Sequence, residues 1–111
     1  MVDDCIFCKI IAGDIPSSKV YEDEEVLAFL DISQVTPGHT LVVPKKHARN
    51  LLEMDETATA QLFARVSKVA KKVEAATQAK GMNIISNMEE VSGQTVFHPH
   101  VHIIPRYSDQ D

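Results

Sequence analysis

The chain has 111 residues, 44% of them hydrophobic and 24% charged, so it reads as one globular domain over residues 1–111 rather than a disordered segment. Eleven basic against sixteen acidic side chains leave a net charge of −5, which argues against a nucleic-acid polymer as partner, because such binding rests on neutralising phosphates with Lys and Arg. No apolar run nears the roughly 18 residues of a membrane span, and the acidic start Met1-Val2-Asp3-Asp4 is unlike a signal peptide, so no membrane and a cytoplasmic location are expected.

The first element is a short amphipathic helix over residues 5–12, carrying Ile6, Phe7, Ile10 and Ile11 and ended by Gly13 and Pro16. Lys19 to Glu22 and Val26 to Ile32 read as two strands joined by the acidic turn Asp23-Glu24. Pro37-Gly38 is a turn, and His39 to Pro44 a third strand rich in β-branched residues. Asp55 is placed to N-cap a long helix, with Glu56 at its positive end. Leu62, Val66, Val69, Val73 and Ala76 fall on one apolar stripe of that helix, and Lys80-Gly81 is its expected close. Met82 to Ser86 reads as a fourth strand, residues 87–94 as a loop and Val96 to Ile104 as the last strand. The architecture is α+β: an antiparallel five-stranded sheet crossed by one long helix, with a short N-terminal helix. Pro99 cannot donate to a ladder, so the last strand is expected to be an edge or bulged there.

Chemistry concentrates in Phe97-His98-Pro99-His100-Val101-His102-Ile103-Ile104, which holds three of the five histidines. Alternate residues of a strand share a face, about 6.6 Å apart, so His98, His100 and His102 would line one side and Pro99, Val101 and Ile103 the other. A catalytic strand is the favoured reading, since imidazole is nucleophilic and moves protons near pH 7. A metal chelate and a plain surface strand are the alternatives. Upstream, Ser92-Gly93-Gln94-Thr95-Val96 is either an ordinary hairpin turn or, beside that row, an anion nest of N–H groups with the Thr95 hydroxyl. Cys5-x-x-Cys8 is open to three readings: a zinc site completed by His47 and His98, a redox pair, or two core cysteines. Asp31 is a solvated turn carboxylate or an acceptor for sugar hydroxyls.

These landmarks, in order, resemble the histidine triad superfamily, most closely the bacterial small nucleotide-binding branch. The similarity runs from Cys5 to Tyr107 through Phe29-Leu30-Asp31-Ile32, Pro37-Gly38-His39-Thr40 and Val43-Pro44-Lys45-Lys46-His47. The resemblance implies a homodimer whose subunits each bind one purine mononucleotide or nucleoside phosphoramidate. It implies that Ile6, Phe7, Ile10, Phe29, Ile32 and Leu41 wall the base and that Asp31 takes the ribose. Asn87, Gly93, Gln94, Thr95 and Val96 would surround the α-phosphate with His100 and His102, and His100 would be the nucleophile. Cys5, Cys8, His47 and His98 match the ligands of a structural zinc. The implied activity is hydrolysis of nucleoside 5′-phosphoramidates through a nucleotidyl-histidine. A nucleotidyltransferase or dinucleoside-polyphosphate hydrolase is the second reading, which Pro99 keeps open because His-Pro-His resembles the related uridylyltransferase branch. A non-catalytic nucleotide-binding module is the third.

Overall fold

The computed structural model describes residues 4–111, so the start Met1-Val2-Asp3 lies outside the described residues. The elements are α1 (Ile6–Ala12), β1 (Lys19–Glu22), β2 (Val26–Leu30), β3 (Thr40–Pro44), α2 (Glu56–Thr77), β4 (Gly81–Ile85) and β5 (Val101–Arg106). Short 3-10 turns lie at Leu51–Glu53 and Glu90–Ser92. The strands form one antiparallel sheet in the order β1-β2-β3-β5-β4, as the α+β reading expects. Among the described residues no helix is long and apolar enough to cross a membrane.

Period-two alternation gives the sheet two covered faces. Val26, Ala28, Val42, Val101 and Ile103 pack against Leu62, Val66, Val69 and Val73 of α2. Each fully buried Leu or Val contributes about 1.5–3 kcal/mol, so this layer anchors β5. Leu27, Phe29, Leu41 and Val43 point the other way, against Phe7, Cys8 and Ile10 of α1. Asp55 caps α2 by accepting from Ala58 N–H, and Cys5 caps α1 through its sulfur, which accepts from Cys8 N–H at 3.3 Å.

Several boundaries differ from the sequence reading. α2 ends at Thr77, capped by Gln78 in the left-handed region (φ 57°) rather than closed by Lys80-Gly81, and Lys80 N–H pairs with Arg106 O as Gly81 enters β4. Ala76, in the last turn of α2, is exposed rather than part of the buried stripe, which ends at Val73. β2 stops at Leu30, where the Asp31 carboxylate turns back to accept from Ser33 N–H. Most consequentially, β5 begins at Val101 rather than Val96. The His98 carbonyl accepts from His100 Nδ1 at 2.7 Å and the His100 carbonyl from Ser86 Oγ at 2.8 Å, so side chains occupy acceptors that a ladder would use. Pro99 supplies no N–H between them. The expected edge or bulge is thus replaced by a late start: β5 is an interior strand, and Pro99 is buried just before it.

Candidate active site

Despite that late start the histidines fall into two adjoining groups that meet at Phe7 of α1. Ring centroids are 5.1 Å apart for His47–His98 and 5.1 Å for His100–His102, and His39 extends the row 5.2 Å beyond His102. Phe7 of α1 stands edge-on between the halves, 6.0 Å from His98 and 5.1 Å from His100. Burial holds His39, His98, His100 and His102 below the ordinary imidazole range, with His98 and His102 down to about 4. Each is therefore neutral near pH 7, with one N–H and one lone pair, and its neighbours decide which nitrogen carries which.

At one end the row is closed. Pro44 O accepts from His98 Nε2 at 2.7 Å, so the proton sits on Nε2 and the Nδ1 lone pair points inward. There Nδ1 lies 3.5 Å from Cys5 Sγ, 3.6 Å from Cys8 Sγ and 3.2 Å from His47 Nδ1, while Cys8 Sγ is 3.3 Å from His47 Nδ1. The four ligand atoms lie within 4.8 Å of one another. Tetrahedral zinc with Zn–S near 2.3 Å and Zn–N near 2.05 Å requires separations of roughly 3.3–3.8 Å, so this donor set fits that ion in both chemistry and size.

At the other end the row is open. Carbonyl oxygen only accepts, so the 2.7 Å contact with His98 O places the His100 proton on Nδ1. His100 Nε2 has no partner among the described residues, and no buried side-chain nitrogen or oxygen there is left unpaired, so this lone pair opens into the cleft that His100 lines. The proton of His102 is fixed from farther away. Val35 N–H donates to His39 Nδ1 at 3.1 Å, which puts the His39 proton on Nε2. That proton is donated to His102 Nδ1 at 2.9 Å, leaving His102 with N–H on Nε2, toward the cleft. A lone pair and a proton donor thus stand side by side.

The cleft measures about 740 Å³ and is lined by Ile6, Phe7, Ile10, Phe29, Asp31, Ile32, Leu41, Thr95, Val96, His100 and His102, all singled out from the sequence. Asp31 is half-buried, with Oδ2 3.6 Å from His39 Nε2.

The chain matches the HIT domain family over residues 12–109. It belongs to that family. "Protein hit" of Bacillus subtilis is 57% identical over 109 residues, 98% of this chain and 75% of that protein. The crystal structure of SMU.412c from Streptococcus mutans superposes with a TM-score of 0.96 at 65% identity, covering 100% of this chain and 71% of that one. Two more distant relatives carry names that bear on chemistry. A zinc-bound histidine triad family protein from Mycobacterium smegmatis has a TM-score of 0.91 at 38% identity, covering 97% of this chain and 78% of that one. Adenylylsulfatase HINT3 of Arabidopsis thaliana is 38% identical over 104 residues, 94% of this chain and 53% of that protein.

In this HIT domain the segment before the histidines departs from the sequence reading. Gln94, Gly93 and Asn87 do not line the cleft. Gln94 is buried, its Nε2 donating to Arg49 O and Val96 O and its Oε1 accepting from Glu89 N–H and Asn50 Nδ2. Its own N–H goes to Glu89 O and that of Gly93 to Glu90 O, so neither retains a donor for an anion. A side chain at Gly93 (φ 102°) would lie 3.6 Å from the Asn87 amide, so Asn87 packs along this bend. On the cleft-lining residues of this segment, the Thr95 hydroxyl and the N–H groups of Thr95 and Val96 have no partner among the described residues.

Sequence reasoning passed over His39, because it stands alone in its strand with no repeat to flag it. The one sequence signal was the preceding Pro37-Gly38; in the structure Gly38 takes φ 91° and lies so close to α2 that a Cβ would sit 2.9 Å from Thr77 Cγ2. Only glycine fits there, and that fit sets His39 beside His102. Ser17 and Ser18, which line the cleft mouth, carried no signal of their own.

Proposed function

We propose that this HIT-domain protein binds a purine mononucleotide in the cleft and hydrolyses nucleoside 5′-phosphoramidates, or related α-phosphate linkages, through a nucleotidyl-His100 intermediate. The observation that carries the reading is the His100 Nε2 lone pair opening beside the free Thr95 and Val96 donors, next to an N–H on His102. The apolar wall of Phe7, Ile10, Phe29 and Leu41 suits a base, with Ile6 and Ile32 at its rim, and Asp31 suits ribose hydroxyls. The adenylylsulfatase relative supports a nucleotide-handling hydrolase as the class, and the zinc-bound relative supports the metal.

In the first step His100 Nε2 bonds to phosphorus and the bond to the leaving amine breaks. The amine nitrogen keeps that electron pair and takes a proton from solvent, while the His102 Nε2–H donates a hydrogen bond at the leaving atom. Positive charge appears on His100, while the His39–His102 pair stays neutral and keeps its N–H aimed at the leaving atom. In the second step water attacks phosphorus and releases its proton to solvent. The His100–phosphorus bond breaks, restoring the lone pair and releasing the mononucleotide. This divides one hard displacement into two easier ones. Thr95 and Val96 donors stabilise charge on the equatorial oxygens, and removing one such donor costs about 10²–10³ in rate.

Cys5, Cys8, His47 and His98 would hold zinc, which when bound cross-links α1 to the segment carrying His100. Neither cysteine is in a disulfide, which suits a reducing cytoplasm. β4 is an edge strand with Ile84 and Ile85 exposed, a surface suited to a second copy of this chain in a homodimer. The deciding experiment is mass spectrometry of enzyme quenched during turnover of adenosine phosphoramidate. A nucleotidyl adduct on the peptide bearing His100 is expected. Turnover without any adduct removes the covalent mechanism, and binding without turnover makes the protein a nucleotide-binding module.

A further inference from the structure

Glu89 has φ 76° and ψ 158°, a backbone region that is essentially glycine's alone. A residue with a side chain persists there only where its surroundings over-determine it, and those of Glu89 do. Its carboxylate accepts from Arg49 Nε at 2.7 Å, Arg49 Nη2 at 2.8 Å and Asn50 Nδ2 at 2.8 Å. Its N–H donates to Gln94 Oε1 at 2.7 Å, and its carbonyl accepts from the N–H groups of Ser92 and Gln94. Arg49 also holds the far end of the same segment, its guanidinium lying 4.2 Å over the Phe97 ring. Asn50 is fully buried and tied down by Leu52 N–H. Residues 89 and 97 are thus gripped by one arginine, with the Gln94 side chain pinned between them. Thr95 and Val96, the two residues after Gln94, line the cleft, and their N–H groups have no partner among the described residues.

We infer that Glu89 is a positioning residue for phosphate recognition: its carboxylate, clamped by Arg49 and Asn50, holds the backbone in a glycine-like turn that aims the Thr95 and Val96 N–H groups at an incoming phosphate. The inference rests on the reading of Thr95 and Val96 as the phosphate cradle. Arg49, Asn50 and Glu89 do not line the cleft, so their loss is expected to act on the phosphate more than on the base.

The test is isothermal titration of AMP and of adenosine against the parent, Glu89→Gly, Glu89→Gln and Arg49→Met. Glycine adopts the same φ without strain but offers no anchor. In Glu89→Gly the AMP affinity is expected to fall about tenfold with adenosine affinity within about twofold and the melting temperature held. Arg49→Met is expected to act in the same direction. Glu89→Gln, which keeps the side-chain length and one acceptor, is expected to lose less. An unchanged AMP-to-adenosine ratio in Glu89→Gly overturns the clamp while leaving the phosphate cradle standing. Equal loss of both ligands overturns it too, by making Glu89 a fold residue. A parent that binds AMP no tighter than adenosine sinks the cradle and the clamp together.

Discussion

His98 and His100 are the same residue type, two positions apart and both buried, yet they are fixed in opposite tautomers. His98 gives its Nε2 proton to Pro44 O and turns Nδ1 to two sulfurs and an imidazole. His100 gives its Nδ1 proton to His98 O and turns Nε2 to open cleft. One end of the row is shaped to hold a cation and the other to keep a lone pair available. What separates them is which carbonyl each ring meets, not the imidazole itself.

The largest effect expected from breaking this contrast is at the open end. His100→Ala should lower adenosine phosphoramidate turnover by at least about 10³-fold, the scale of losing a nucleophile, while AMP still binds by calorimetry. Retained steady-state turnover would remove His100 from the nucleophile role. At the closed end the effect should fall on the fold instead. Chelation of zinc-loaded protein, or Cys8→Ser, should lower the melting temperature by on the order of 10 °C, with kcat of the remaining folded protein nearly unchanged. A chain that purifies without zinc and melts identically with chelator would break this half of the comparison.

His39→Asn sharpens the open end further. It removes the donor that fixes the His102 proton, so kcat should fall about 10–10²-fold with KM little changed. Substrates whose leaving group needs no hydrogen-bond donor should be spared, and an equal loss across leaving groups would deny His39 that role. The smallest effect is on stability against pH. Burial lowers the His102 pKa to about 4, below its unfolded value, so the unfolded chain binds more protons in that interval. The stability it contributes is present above about 6.5 and is lost as pH falls toward about 4. In denaturant titrations across that range His102→Gln should show a shallower loss than the parent; identical slopes would place the acid sensitivity elsewhere.

Much of this was legible in sequence where a local rule governed it. Leu62, Val66, Val69 and Val73 repeat at helical spacing, and all four are buried against the sheet. Cys5 and Cys8 stand one helical turn apart, which brings both sulfurs to one corner. Val101 and Ile103 alternate with His100 and His102 as a strand requires, even though β5 starts only at Val101. Other features escaped because their cause lies elsewhere in the chain. Gln94 reads as a polar loop residue offered to a phosphate, but Arg49 and Asn50 arrive from the far side of the fold and turn it inward. Nothing in the local sequence marks Glu89 as adopting a glycine's backbone.

By itself, then, the sequence determined which chemistry is present: five imidazoles, two thiols and an acidic surface, distributed by periods of 3.6 and 2 onto known faces. Only the tertiary structure decided what each imidazole does. A ring's tautomer follows from the partner that reaches its nitrogen, and for His98 that partner is a carbonyl 54 residues away, for His102 a histidine 63 residues away. Spacing along a chain does not encode such contacts; strand pairing between β3 and β5 creates them.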